Sequence, residues 1–135
     1  MNNSRFTRQK YILQAQLFYF ALVIFWNIAG VVLIANDMRA PGPTASLLAA
    51  GIMALLAPLL IYGWRQRTWL YVVISGLSFT GAMAAVYQAF SANPDLWPSD
   101  FWRYCGVSLN IFGILAHSFA IFAKLLVRGA HLKGQ

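Results

Sequence analysis

Four long apolar runs sort the charges of this chain into two groups, and no other feature restricts its folding as tightly. The runs cover about 17–35, 46–64, 69–90 and 104–127. Arg5, Arg8 and Lys10 precede the first run, and Arg65 and Arg67 separate the second from the third. Lys124, Arg128 and Lys133 close the fourth. All three acidic residues, Asp37, Asp95 and Asp100, fall with Arg39 and Arg103 in the two remaining connections. Crossing a hydrocarbon layer about 30 Å thick takes about 20 helical residues, which matches each run. Lysine and arginine are retained on the cytoplasmic side when a chain threads through a membrane. The pattern predicts an all-α integral membrane four-helix bundle, up-down-up-down, with N and C termini cytoplasmic.

Composition closes the other options. Apolar residues make up 60% and charged residues 10% of the chain, against about a quarter charged in soluble domains. The spans use most of the 135 residues, so one transmembrane domain over 1–135 is expected, with no second, soluble one. Backbone amides inside lipid need internal partners, and no run alternates with the period of two that barrel strands require. Helices are the remaining choice. The net charge of +7 is spread over two tails and a tight turn. A nucleic-acid surface would collect it on one face among stacking aromatics, so no nucleic-acid partner is expected. The expected partner is a lipid bilayer with anionic headgroups. The single cysteine, Cys105, allows no internal disulfide. The first run exceeds the 7–15 apolar residues of a secretory signal and ends without a cleavage-type site, so it reads as an uncleaved helix. A bacterial cytoplasmic (inner) membrane is the expected location.

Along the chain, residues 1–16 read as a polar, basic lead-in that becomes helical around Tyr11. Phe18, Tyr19 and Phe20 are expected at the inner headgroup level. The first helix should end near Asn36 and Asp37, before the stiff 39–43 turn with Pro41 and Pro43. Thr44 is the candidate N-cap of the second helix. Pro58 lies inside that helix as a packing kink or a gate. The 64–69 turn places Trp64 and Trp69 around Arg65 and Arg67, so the second and third helices should be antiparallel neighbours. In the third helix Gly81, Ala85 and Ala89 recur every four residues, a spacing that suits close backbone approach. Ser99 and Asp100 suit the start of the fourth helix, with Phe101, Trp102 and Tyr104 as an aromatic belt. The two hairpins share a gross plan, but their spacing does not align as a repeat.

Polar groups at membrane depth are the candidates for function, because each is costly unless paired. They are Asn27, Gln88, Asn110 and His117, with Ser75 and Ser78 as lesser ones. On the fourth helix Gly106, Asn110, Gly113, His117, Ala120 and Lys124 recur at steps of three and four, so they form one stripe. This stripe is either interhelical glue or the wall of a polar cavity containing His117. Asn27 beside Trp26 reads as a packing point or a ligand platform, Gln88 as a wetted amide. Lys124 is expected to reach the headgroups by extending its side chain.

The chain has no glutamate, and no aspartate within a span, which excludes carboxylate-driven exchange and carboxylate-held metals. His117 and Ser118 diverge by about 100° on a helix and do not form a nucleophile–base pair. No phosphate loop or metal motif is present. The expectation is a protein that is not an enzyme and has no cofactor. It is an accessory, assembly or stabilising subunit, partnered by other membrane subunits or by copies of itself. The alternatives are a small oligomeric transporter or channel with a path near Asn110 and His117, or a haem anchor using His117.

Overall fold

The computed structural model describes the backbone of residues 2–132 and the side chains of residues 7–124. Expectations placed on Arg5, Arg128 and Lys133 lie outside the described side chains. The regular structure of the described residues is helical, with α1 at Asn2–Ala35, α2 at Leu47–Gln66, α3 at Thr68–Ser91 and α4 at Asp100–Leu132. A 3-10 turn at Pro94–Leu96 interrupts the connection between α3 and α4. All four helices are long and apolar enough to cross a membrane. The basic lead-in expected before Tyr11 is already helical, since α1 begins at Asn2. Helix α1 itself has no break at Tyr11.

Each helix packs against its neighbours in sequence, and α1 also meets α4, which closes the ring. Large apolar side chains face outward on all four helices, among them Phe25, Leu55, Leu77 and Phe119. Water would penalise such a surface heavily, whereas lipid accepts it. The packed core gathers Leu13, Tyr19, Phe20, Leu60, Tyr71, Ile74, Ala82 and Ala120.

Local chemistry explains the helix ends. At the end of α1 the Met38 amide donates to the Leu33 carbonyl (2.9 Å) and the Asp37 amide to the Ile34 carbonyl (3.1 Å). This is the Schellman arrangement, which needs a left-handed residue, and Asp37 supplies it at φ 58°. Glycine takes that conformation without steric cost, while other L-residues lose about 1 kcal/mol. Asp37→Gly is therefore expected to raise the thermal midpoint in detergent by a few degrees; a lowered midpoint would show that the carboxylate has a role of its own.

Helix α2 is capped by Ser46, not by Thr44: the Ser46 hydroxyl accepts from the amides of Leu48 and Ala49 at 3.1 and 3.5 Å. The Ser46 amide in turn donates to the Asn27 side chain at 3.0 Å. That bond from α1 selects the cap, which sequence spacing alone could not. Helix α2 runs unbroken through exposed Pro58. At its end only Arg67 separates α2 from α3, and Gly63 makes the sharp return possible. A Cβ there would lie 2.6 Å from the Tyr71 backbone nitrogen, so only glycine fits.

The other two connections come together at the opposite end. A Cβ on Gly42 would lie 3.2 Å from Nε1 of Trp26 and 3.4 Å from the Trp97 ring. One on Gly106 of α4 would lie 3.3 Å from the same Trp97 ring. The indole of Trp97 thus seats both loops on the bundle, and the two ends differ in kind.

Candidate functional site

Two polar features occupy the bundle interior, one buried near the Arg67 end and one open near the loop end. The buried one centres on Gln16, a side chain with no exposure. Its Oε1 accepts from the Tyr71 hydroxyl at 2.6 Å. Its Nε2 donates to Ser75 Oγ at 2.9 Å and lies 2.8 Å from His117 Nδ1. One amide thereby ties α1 to both α3 and α4.

The directions of these bonds follow from the donor inventory. An amide oxygen only accepts, and an NH2 group carries two hydrogens. With Oε1 taken by Tyr71, one hydrogen goes to Ser75 and the other to His117. Nδ1 of His117 is then the acceptor, and the ring proton sits on Nε2. That Nε2 is buried without a partner among the described residues. Tyr19 packs on His117 edge to face, with ring centres 5.6 Å apart, and Phe20 at 5.5 Å with a 32° tilt. A haem-anchor role would need a porphyrin to displace this packing. Lys124 does not simply extend away: its Nζ lies 5.4 Å from the centre of the Tyr71 ring. A cation over the ring face polarises the phenol and strengthens its hydroxyl as a donor to Gln16.

Further along the same axis the Tyr19 hydroxyl donates to Asn110 Oδ1 at 3.1 Å, and Asn110 Nδ2 donates to the Gly106 carbonyl at 2.8 Å. The Tyr19 ring lies directly on Gly113, where any Cβ would collide with it. The stripe on α4 thus faces inward, with Gly106, Gly113, His117 and Ala120 buried and Asn110 and Lys124 half-buried. Its glycines admit the Trp97 and Tyr19 rings; Asn110 and His117 meet α1, and Lys124 meets Tyr71 of α3.

The Tyr19–Asn110 bond is the floor of the second feature, a chamber of about 260 Å3 lined from all four helices and both loops. Tyr19, Val23, Trp26 and Asn27 come from α1, and Ala49 and Met53 from α2. Helix α3 contributes Gly81, Ala85, Gln88 and Ala89, and α4 contributes Gly106, Leu109 and Asn110. On α3 a Cβ on Gly81 would meet nothing within 4 Å, whereas Ala89 further along the same row is buried, so these small residues leave space at one point and pack closely at another. Asn27 is a staple: its Nδ2 donates to the Val23 carbonyl at 2.9 Å while its Oδ1 holds Ser46. Ser78 is buried, and its hydroxyl has no partner among the described residues. Pro58 lies apart, in a shallow groove with Tyr62, Arg65 and Arg67.

The structure places Ser75 and His117 in the buried network and Asn110 half-buried beside Tyr19; sequence reasoning missed Gln16 and Tyr71, which join Ser75 to His117. A signal for Gln16 was present. Leu13, Gln16, Phe20, Val23, Asn27 and Gly30 recur every three or four residues, one helical face that runs back through the supposed lead-in. Among the described residues no three His, Cys, Asp or Glu side chains cluster as a metal site.

Four apolar helices around a polar interior fit a multi-pass membrane protein. Comparisons with protein-family models, curated proteins and solved structures gave no match.

Proposed function

We propose that the protein is an up-down-up-down bundle of a bacterial cytoplasmic membrane, with both ends in the cytoplasm, whose interior binds a small solute on a polar path across the lipid. The observation that carries this reading is the chamber between the four helices. A purely structural bundle is stabilised by filling such a space, because empty volume forfeits packing energy. Here glycine and alanine leave it open while two tryptophans border it. Below its floor the polar line continues through His117, Gln16, Ser75 and Tyr71 towards Lys124. In the orientation that the basic residues favour, the chamber opens on the periplasmic side. The reading involves no covalent step, and one chain supplies every group on the path.

Single cysteines placed in a Cys105→Ser background test this in intact cells, with the small neutral N-ethylmaleimide for the chamber and a membrane-impermeant sulfonated maleimide for the turn. Ala85→Cys, inside the chamber, is expected to be labelled, and Gln66→Cys, in the short turn, only in inverted vesicles. An unreactive Ala85→Cys removes the chamber as a solute site. Labelling of Gln66→Cys from outside reverses the orientation.

The second reading is a stabilising subunit of a larger membrane complex. It draws on Gly51 and Gly76, where an added Cβ would meet nothing within 4 Å, on a surface otherwise rich in large apolar groups. Small residues facing outward suit contact with another helix. Purification in a mild detergent should then recover partners in fixed ratio, and a bundle that always purifies alone counts against it.

A further inference from the structure

The hydrogen-bonding groups of the chamber are not equally available, and their distribution points to a class of occupant. Each end of the Asn27 amide makes one bond, to the Val23 carbonyl and the Ser46 amide, which leaves its nitrogen a second hydrogen. Asn110 holds the Tyr19 hydroxyl with its oxygen and the Gly106 carbonyl with its nitrogen. Apart from those two amides, the wall between the loops and the Tyr19–Asn110 floor is apolar: Val23, Met53, Gly81, Ala85 and Leu109. Uncommitted groups lie in the part nearest the loops. They are the Gln88 amide, the Trp26 indole N–H and the Thr44 hydroxyl, none of which makes a hydrogen bond among the described residues.

Charge is excluded by the same inventory. No Asp, Glu, Lys, Arg or His lines the chamber, and an ion taken from water into such a space has no counter-charge to offset its lost hydration. Aromatic rings can substitute for a carboxylate by taking a cation on their faces. Here the rings are engaged otherwise: Trp97 is packed against Gly42 and Gly106, and Tyr19 against Gly113 and His117. The volume of about 260 Å3 lies just below the roughly 300–1,000 Å3 of drug-sized pockets. A single substituted ring fits, and an extended lipid does not.

Resting on the reading of the bundle interior as a binding chamber, we propose that its occupant is a compact neutral molecule with an apolar, ring-sized body and one hydrogen-bonding end. The body lies along Gly81, Ala85 and Met53. The polar end, a carbonyl or primary amide, meets the Trp26 N–H and the Gln88 amide.

Trp26 and Trp97 in the chamber wall give an intrinsic readout, because bromine quenches indole fluorescence on close approach. Three probes of equal size separate the classes: 4-bromobenzamide, 4-bromobenzoate and 4-bromobenzylammonium, titrated at pH 7 into the full chain in detergent. The expected result is saturable quenching by the neutral amide, with both ions at least tenfold weaker. Ala85→Leu fills the chamber and should abolish the saturable component; Gly81→Val repeats the test if that variant folds poorly. Gln88→Leu should weaken the amide about tenfold. Saturable quenching by either ion that Ala85→Leu removes keeps the chamber and overturns the assigned class. Equal, unsaturable quenching by all three, with Ala85→Cys still labelled in cells, overturns the class and leaves the polar path standing. An unlabelled Ala85→Cys brings down both.

Discussion

Gln16→Leu is expected to destabilise the folded bundle by about 2–5 kcal/mol, although leucine is the better lipid-soluble residue. Three partners lose their bonds at once: the Tyr71 hydroxyl, Ser75 Oγ and Nδ1 of His117. Interhelical hydrogen bonds in membranes average about 0.6 kcal/mol each, up to about 1.7, which sets the lower bound at about 2. The upper bound follows from leaving buried groups unpaired, at about 1–3 kcal/mol per group. Ser75 can turn its hydroxyl elsewhere, whereas the Tyr71 hydroxyl and the His117 nitrogen are held by packing against the core. Unfolding by SDS titration in bicelles measures the loss, with exposed Gln14→Leu as the control. In a double-mutant cycle Gln16→Leu and Tyr71→Phe should couple by 0.5 kcal/mol or more. If Gln16→Leu proves as stable as Gln14→Leu, the network contributes nothing to the fold.

At the tight end of the α2–α3 hairpin the cause of failure is steric. Gly63→Ala is expected to cost about 1–3 kcal/mol, and Gly63→Leu to prevent accumulation of folded protein. The added Cβ would stand 2.6 Å from the Tyr71 nitrogen and 3.0 Å from its Cα. These are backbone atoms, and with only Arg67 between the helices the hairpin has no slack to absorb a shift. The displacement also pulls Tyr71 away from Gln16, so Gly63→Ala should weaken the network as well as the packing. Gly76→Ala is the matched control on α3. Its Cβ enters open space, and replacing glycine in mid-helix favours the folded state by up to about 1 kcal/mol. The same SDS titration compares the two. Equal stability of the alanine variants would mean that the hairpin opens more easily than its geometry implies.

Which parts of the interior were legible depended on whether the signal was local. The inward stripe on α4 was readable because Gly106, Asn110, Gly113 and His117 recur at helical spacing within one element. Gln16 was hidden by its neighbours: Arg8, Gln9, Lys10 and Gln14 give the segment the look of a solvated tail. Its inward direction becomes evident only when the helix is extended through it. Tyr71 carried no distinguishing mark in the sequence, and its hydroxyl acquired meaning only from a residue 55 positions earlier. Gly81, Ala85 and Ala89 had the spacing of a close helix contact, yet the same small volumes serve equally to leave a gap. No property of α3 alone distinguishes the two outcomes. Ser46 replaced Thr44 as a cap for a similar reason, since its amide is held from α1.

The order of apolar and charged residues was enough to determine four helices with membrane-spanning length, because hydrophobicity and chain length are summed locally and need no knowledge of neighbours. Tertiary structure alone decided which amide sits at the centre, which glycines admit a ring and which border a chamber. Each of those depends on what another helix brings to the same place, and short side chains and amides carry no mark of their future partner.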